Sequence, residues 1–298
     1  MLWRIDVDSD QTARVFEDHR RMLTGLAYRI LGSWTEAEDL VQDVWPRWET
    51  NADQVDRAEG WLRRVTVRAA IDRLRRLRGR RESYPGPWLP EPVSTLPDPA
   101  EVVADRDTIS IGLLLVLETL SPLERAVFVL RQAFGLSPAE VAEVLGRTPA
   151  AVRQLDHRAR QHVAERRPRY DADAATAQAT TEAFLKAALN GDVNALLDVF
   201  APDVVLHGDA GGEAKAPRRP IAGLDKVARF LAAIGTQPPA GVTTISITDI
   251  NGGPGIVATG DHRAITGFSF DIGADGLITA LYMMAAPSKL THLTGPRA

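Results

Sequence analysis

The chain has 298 residues, enough for about two or three domains, and its 45% hydrophobic and 25% charged residues are ordinary for a globular protein. It contains no cysteine, which excludes disulfides, thiolate zinc sites and a cysteine nucleophile. No apolar run approaches the ~20 residues that span a bilayer, and the first residues lack the basic-then-apolar order of a signal peptide. We therefore expect a cytoplasmic protein.

Residues 11–82 have helical periodicity, and the second predicted helix is amphipathic. Thr35, with Glu38 three residues later, matches a capping box at the start of this helix. An apolar stripe follows, made of Leu40, Val41, Val44, Trp45 and Trp48. The opposite side is acidic and carries Glu36, Asp39 and Asp43.

The third predicted helix concentrates positive charge in a chain whose net charge is −4. Ten arginines and two acidic residues lie between Arg57 and Arg81. Such a cluster is typical of a surface that binds nucleic-acid phosphates, and a solvated arginine-rich helix face is the alternative. The spacing predicts a packing stripe of Val67, Ala70, Leu74 and Leu77, with arginines on a different face.

Prolines between residues 83 and 107 rule out a regular helix there, so this segment is predicted to be a linker. Residues 108–167 are helical again and end in two closely joined helices. Ser137-Pro138-Ala139-Glu140 is a capping signature, Gly146 ends the first helix, and Thr148-Pro149 starts the second. This pattern predicts a helix-turn-helix, with a generic helical hairpin as the alternative.

From residue 174 the pattern changes to two helices around Asn190-Gly191-Asp192, followed by one strand, one helix and four strand-like runs. The order predicts a curled sheet packed against helices. The acid/base candidates here are His207, Asp209, Asp261 and His262, with Tyr282 as a donor inside a pocket. Turn chemistry explains Asp209 and Asp261-His262 without catalysis, so we predict no enzyme activity, no cofactor and no metal.

Three segments together resemble one family. AYRILGSWTEAEDLVQDVW, EGWLRRVTVRAAIDRLR and LSPLERAVFVLRQAFGLSPAEVAEVLGRTPAAVRQLDHRAR are similar, in this order, to the bacterial sigma factors of the extracytoplasmic-function group. PWLPEPV at 87–93 and APSKL at 286–290 resemble motifs of the subgroup with a fused C-terminal SnoaL-like domain. DAGGEAK at 209–215 resembles that subgroup's DGGGK motif, with Ala210 at the second glycine position and Glu213 where lysine is expected.

The resemblance implies a multidomain fold of two all-α sigma domains, the second with a helix-turn-helix, followed by an α+β cone-shaped SnoaL-like domain. The implied limits are 1–82 for sigma region 2, 83–107 for the linker, 108–168 for region 4 and 174–298 for the SnoaL-like regulatory domain. Region 2 would bind the RNA polymerase clamp and open the minus-10 element, and region 4 would read the minus-35 element. The implied polymerase-binding residues are Glu36, Asp39, Leu40, Gln42, Asp43 and Trp45.

The predicted DNA contacts combine bidentate base reading with salt-dependent phosphate binding. They are Trp61, Arg64, Arg68, Arg75, Arg76, Arg147, Thr148, Ala150, Arg153, Gln154, His157 and Arg158. Trp61 either stacks on an unpaired base or anchors the start of its helix. The residues expected to regulate the sigma domains in cis are Trp88, Leu89, Pro90, Asp209, Gly211, Gly212, Lys215, Lys289 and Leu290.

The prediction is therefore a sigma factor with RNA polymerase core and promoter DNA as partners, regulated in cis, and with a small-molecule ligand of the C-terminal domain left open. One alternative is a helix-turn-helix regulator that needs no polymerase. A second is a SnoaL-type cyclase or isomerase with a DNA-binding tether.

Overall fold

The computed structural model describes residues 7–94, 109–166 and 172–293. The described residues divide into two compact units, one within 1–82 and 117–165 and the other within 83–116 and 166–298. The predicted domain limits near residues 107 and 168 lie outside the described residues and stay predictions. Among the described helices, none is long and apolar enough to cross a membrane.

The first unit is helical, and its helices pack in two groups that contact each other. α1 packs on α2 and α3, while α5 contacts α1 and α3, and α6 contacts α3. Its core is made of the apolar stripes, including Leu26, Val44 and Leu74 at 0–1% exposure. The helices are α1 (Val7–Leu31), α2 (Trp34–Asn51), α3 (Ala58–Glu82), α4 (Ile111–Glu118), α5 (Pro122–Gln132), α6 (Pro138–Leu145) and α7 (Pro149–Arg166). Only the last two residues of α4 belong to this unit.

The helix starts show where local sequence rules succeed and where one fails. Ser137 and Glu140 form a complete capping box, and Gly146 ends α6 in the left-handed region at φ 63°, both as predicted. The prediction of Thr35 as the cap of α2 is wrong. Ser33 has extended backbone angles, and its hydroxyl accepts a hydrogen bond from the Glu36 amide at 3.1 Å, so Thr35 lies within the first turn.

The second unit contains a six-stranded sheet whose apolar core is packed against helices. Its elements are α8 (Ala174–Asn190), α9 (Val193–Val199), β1 (Phe200–Asp209), β2 (Ile221–Ala222), α10 (Leu224–Thr236), β3 (Thr244–Ile250), β4 (Gly253–Gly260), β5 (Arg263–Ile272) and β6 (Ile278–Met284). The strand order is β2-β1-β6-β5-β4-β3, in which β1 and β6 run parallel and the other neighbours antiparallel. The predicted fold class, two all-α sigma domains followed by an α+β domain, is confirmed.

The two faces of this sheet differ in chemistry because strand side chains alternate. Phe270 and Leu281 belong to the apolar core with residues of α8, α9 and α10. Asp271 and Tyr282 alternate with them and therefore lie on the opposite side, which we call the outer face. Tyr282, the predicted pocket donor, thus lies on the outer face, where its hydroxyl donates to Asp271.

Candidate nucleic-acid interface and linker-binding cluster

α7 presents its predicted reading residues to solvent. Val152, Leu155 and Ala159 are buried along one side, as their spacing predicts. The start of the helix is fixed by the Thr148 hydroxyl, which accepts a hydrogen bond from the Ala151 amide at 3.2 Å. The exposed residues are Arg147, Thr148, Ala150, Arg153, Gln154, His157 and Arg158. This side of α7 can therefore approach a DNA groove without rearrangement of its own core.

The arginines of α3 divide into exposed groups and groups engaged within the first unit. Arg64 and Arg76 are exposed, and exposed Arg75 pairs with Asp72 at 2.8 Å. Arg68 donates from Nε to the Val144 carbonyl of α6 at 3.0 Å. Part of the predicted promoter-opening face thus holds the helix-turn-helix in this structure.

Trp61 lies in the first turn of α3 and is half-buried. Its ring centroid is 5.7 Å from that of Trp48, which is 3% exposed. The contact with Trp48 agrees with a role of Trp61 in anchoring the start of α3. The exposed part of the ring is available to stack on an unpaired base.

One arginine that the sequence did not single out contacts the acidic side of α2. Arg73 of α3 pairs with Glu36 and lies 3.4 Å from Asp39 and 3.3 Å from Asp43. These three acids belong to the predicted polymerase-binding set. Exposed Gln42 and half-buried Trp45 share this helix, and the Trp45 ring lies 5.1 Å from that of Phe16.

Leu40 was predicted to contact polymerase, but the structure places it in the core. It is 2% exposed and belongs to the core of the first unit. Its position on α2 places it on the packing stripe, so it supports the helix rather than offering a surface.

A largely buried acidic residue, Glu118, joins the two helical groups of the first unit. One of its carboxylate oxygens accepts from Arg81 of α3 and the other from Arg125 of α5. The Arg125 side chain is completely buried and the other two are 14% exposed. Burial lowers the pKa of Arg81, and Glu118 opposes that shift. Sequence reasoning missed this cluster because its members are distant in the chain.

The same arginines also bind the end of α1. Arg125 Nε donates to the Arg29 carbonyl at 3.0 Å, and Arg81 Nη2 donates to the Leu31 carbonyl at 2.6 Å. The last carbonyls of a helix lack intrahelical donors, so these contacts satisfy groups that burial would otherwise penalise.

In the second unit, Asp209 binds the linker. It is the last residue of β1, 1% exposed, rather than part of the glycine-rich turn as predicted. Oδ1 accepts from the Tyr84 hydroxyl at 2.7 Å and the Gly211 amide at 3.0 Å. Oδ2 accepts from the Leu89 amide at 2.8 Å and Lys289 Nζ at 2.6 Å. Burial, followed by the bond to Asp209, raises the pKa of Tyr84 well above its usual range.

Lys289 completes what we call the Asp209 cluster, composed of Tyr84, Trp88, Leu89, Asp209 and Lys289. Nζ of Lys289 also donates to the Leu89 carbonyl at 2.6 Å. The ammonium lies 4.7 Å from the Tyr84 ring centroid and 4.3 Å from that of Trp88. Leu89, the adjacent Pro90 and Leu290 are buried. The three motifs quoted for the SnoaL-bearing subgroup therefore meet at one place.

Lys215, the other lysine predicted here, has a different environment. It is exposed, and Glu213 two residues earlier accepts a hydrogen bond from the Ser288 hydroxyl at 3.1 Å. The ion pair with Asp209 is made by Lys289 from the C-terminal motif, not by the lysine of the loop.

The loop after β1 requires two glycines. Gly211 and Gly212 have φ values of 60° and 78°, which favour glycine. A Cβ on Gly211 would lie 3.1 Å from the Tyr84 hydroxyl, and one on Gly212 would lie 3.0 Å from Pro85. The loop thus lies so close to the linker that there is no room for a side chain at these two positions.

Asn251, between β3 and β4, provides a second linker contact that sequence reasoning missed. Its Oδ1 accepts from the Val93 amide, its backbone amide donates to the Val93 carbonyl, and Nδ2 donates to the Ile109 carbonyl, each at 3.0 Å. Ser94 forms an isolated bridge with Ile250. Val93 and Ser94 of the linker therefore bond to the end of β3 and to the turn after it.

The acid/base candidates are not assembled into one site. Asp209 has both oxygens engaged, and Asp261 and His262 occupy an exposed turn at φ 49° and 62°. His207 stacks on Tyr282 with ring centroids 5.6 Å apart, and burial lowers its pKa. Within the described part of the chain, no three acidic or histidine side chains group so as to hold a metal ion.

These features define a multidomain DNA-binding protein: α7 has an exposed recognition side, α3 is cationic, and the sheet of the second unit binds the linker. Family models agree: sigma-70 region 2 matches residues 15–80, sigma-70 region 4 matches 111–163 and the SnoaL-like domain matches 181–280. Among the relatives is the ECF RNA polymerase sigma factor SigJ of Mycobacterium tuberculosis, 36% identical over 93% of this chain and 92% of the relative. The chain belongs to the ECF RNA polymerase sigma factors.

Two further matches extend over the whole architecture. The probable ECF RNA polymerase sigma factor SigI of M. tuberculosis is 32% identical over 95% of this chain and 96% of its own. The crystal structure of M. tuberculosis SigJ superposes with a TM-score of 0.74 at 34% identity, covering 93% of this chain and 97% of that one. The similarity therefore extends over the C-terminal domain as well as the helical domains.

Proposed function

We propose that this sigma factor directs RNA polymerase core to specific promoters in the cytoplasm, with α3 opening the minus-10 element and α7 reading the minus-35 element. The observation that carries the proposal is the recognition side of α7, whose Arg153 and Gln154 are exposed above a buried stripe. Arginine and glutamine side chains are suited to bidentate contacts with guanine and adenine edges.

The test is in vitro transcription with core polymerase and promoters found by run-off mapping. Promoter-dependent initiation that requires the added chain supports the proposal. Specific duplex binding by the chain alone, without a stable complex with core enzyme, would instead support the helix-turn-helix regulator.

Arg153→Ala is expected to weaken promoter binding by about 1–3 kcal/mol at one base position of the minus-35 element. The reason is that a base contact is lost while phosphate contacts persist. Binding of holoenzyme to a panel of single-base promoter variants checks this. Arg160→Ala, on the same helix and paired with Asp156 at 3.2 Å, is the control, and its effect should be the same on all sequences. A uniform loss for Arg153→Ala would identify a phosphate contact and contradict base reading.

We also propose that the C-terminal domain regulates the sigma domains in cis, by holding the linker, and has no catalytic role. The support is the Asp209 cluster, in which four hydrogen bonds satisfy a buried carboxylate and two of the donors come from the linker. A small-molecule ligand of this domain would change activity only if it binds the linker-held and released arrangements unequally.

A further inference from the structure

The outer face of the sheet contains a buried carboxyl that neither the promoter contacts nor the Asp209 cluster uses. Asp271 of β5 is 0% exposed. Its Oδ2 accepts a hydrogen bond from the Tyr282 hydroxyl of β6 at 2.6 Å. Its Oδ1 is buried and has no hydrogen-bond partner among the described residues. A buried acceptor without a donor disfavours the arrangement that buries it.

The first turn of α4 covers this carboxyl, and it can do so because residue 112 is glycine. A Cβ on Gly112 would lie 2.4 Å from Oδ2 and 2.6 Å from Oδ1 of Asp271, and 2.8 Å from the Tyr282 hydroxyl. Real side chains do not make such contacts. Two contacts fix the start of α4. The carbonyl of Ile109, three residues before Gly112, accepts from Asn251, and the Ser110 hydroxyl accepts from the Leu113 amide at 3.1 Å.

We propose that the Asp271–Tyr282 pair is a proton-sensitive binding site for the first turn of α4, which holds the chain leading into region 4 on the C-terminal domain and releases it when Asp271 ionises. The site binds backbone at Gly112, and its occupant here is the chain's own segment 109–116. The inference rests on the proposed cis regulation only for its effect on transcription.

The charged and titratable neighbours leave Asp271 as the group that responds near neutrality. Burial raises its pKa to about 7, and the hydrogen bond from Tyr282 acts in the opposite direction. His207, stacked on Tyr282 from β1, has a pKa lowered by burial, which moves it away from neutrality. β4 contains no titratable side chain, and α4 contains none before Glu118.

The sign of the pH effect follows from linkage. A released Asp271 returns toward its ordinary pKa of 3.8, so the held arrangement binds more protons between pH 3.8 and about 7. Release therefore becomes more favourable as pH rises through that window and levels off above it. The release equilibrium should increase roughly 30-fold between about pH 5.5 and 8.

Because the chain has no cysteine, one introduced thiol reports release directly. Leu114 of α4 is completely buried, so a cysteine at this position reacts with a thiol reagent only after release. The labelling rate of Leu114→Cys in the folded full chain, divided at each pH by its rate in urea, should increase as pH rises. Hydrogen exchange of residues 109–116 in the unsubstituted chain provides a second measurement, should the cysteine disturb packing. Neither experiment needs polymerase, so failure here is separate from failure of the proposed promoter function.

Three substitutions test the assignment. Asp271→Asn should remove the pH dependence of release, whereas Asp261→Asn in the exposed turn should keep it. Tyr282→Phe should move the midpoint to higher pH, which loss of packing alone would not do. Gly112→Ala should release the segment at every pH, while Gly79→Ala, with no atom near its Cβ, should not. A flat or reversed profile in the unsubstituted chain, or one unchanged by Asp271→Asn, would overturn the proposal.

Discussion

Replacing Lys289 by methionine is expected to destabilise the second unit by about 3–5 kcal/mol, because removal of one partner leaves the buried Asp209 charge uncompensated. The side chains of Lys289 and Asp209 are only 9% and 0% exposed. Methionine keeps most of the stem length, so the loss reflects the missing ammonium and its bond to the Leu89 carbonyl. The linker should separate from the C-terminal domain before that domain unfolds, since two linker residues bond to this pair.

Trp88 makes the experiment specific. It is the only tryptophan of the second unit, and the other five precede residue 62. Urea unfolding of fluorotryptophan-labelled protein, followed by the fluorine signal of Trp88, therefore reports the Asp209 cluster. Lys215→Met, which removes an exposed lysine from the loop after β1, is the matched control and should leave the transition unchanged. Equal shifts for the two variants would contradict the assignment of the ion pair.

A double variant separates the net stabilisation by the Asp209–Lys289 ion pair from the destabilisation caused by removing only one partner. Asp209→Leu combined with Lys289→Met removes both charges, and replacement of a buried ion pair by apolar residues is often close to neutral. We expect the double variant to be more stable than Lys289→Met alone. If stability instead falls further, the hydrogen bonds of Asp209 to Tyr84 and to the backbone contribute more than the ion pair.

The parts of this molecule that the sequence predicted are those fixed by neighbouring residues. Ser137, Glu140 and Gly146 define α6 within one segment, and alternation along residues 263–272 was enough to predict β5. The error at α2 has a local cause as well. Ser33 and Thr35 are both followed three residues later by glutamate, so the capping pattern occurs twice and only the backbone angles decide between them.

The contacts that hold segments together were beyond the sequence because their partners are far apart in the chain. Asp209 meets Leu89 across 120 residues and Lys289 across 80. The family motifs predicted that these residues matter, but only the folded structure shows that Lys289 rather than Lys215 reaches the carboxylate. No neighbouring residue marks Asn251 or Asp271 in the sequence, because the role of each depends on a backbone segment that is distant in the chain.

Within the first unit, Glu118→Gln is expected to lower the free energy of unfolding by about 3–5 kcal/mol, because it leaves one buried and one largely buried guanidinium group without their acid. Arg81 and Arg125 both pair with Glu118, and Arg125 Nη2 is already buried without a hydrogen-bond partner among the described residues. Glutamine keeps the shape but turns one acceptor into an amide donor that faces a guanidinium, so the effect combines the lost charge with a lost hydrogen bond. Denaturant unfolding of the full chain, with Asp72→Asn of the exposed Arg75 pair as control, measures it.

The same substitution separates a stabilising contact from a restraining one. Arg81 and Arg125 tie α3 and the end of α1 to α5, and Arg68 ties α3 to α6, so loosening Glu118 should free the arginine face of α3. A sigma factor held closed by this contact gains activity when the contact weakens, even though the fold is less stable. We therefore expect Glu118→Gln to raise promoter-dependent transcription severalfold at limiting concentration and low temperature, where the variant stays folded. A loss of transcription in proportion to the unfolded fraction would show that Glu118 only stabilises the unit.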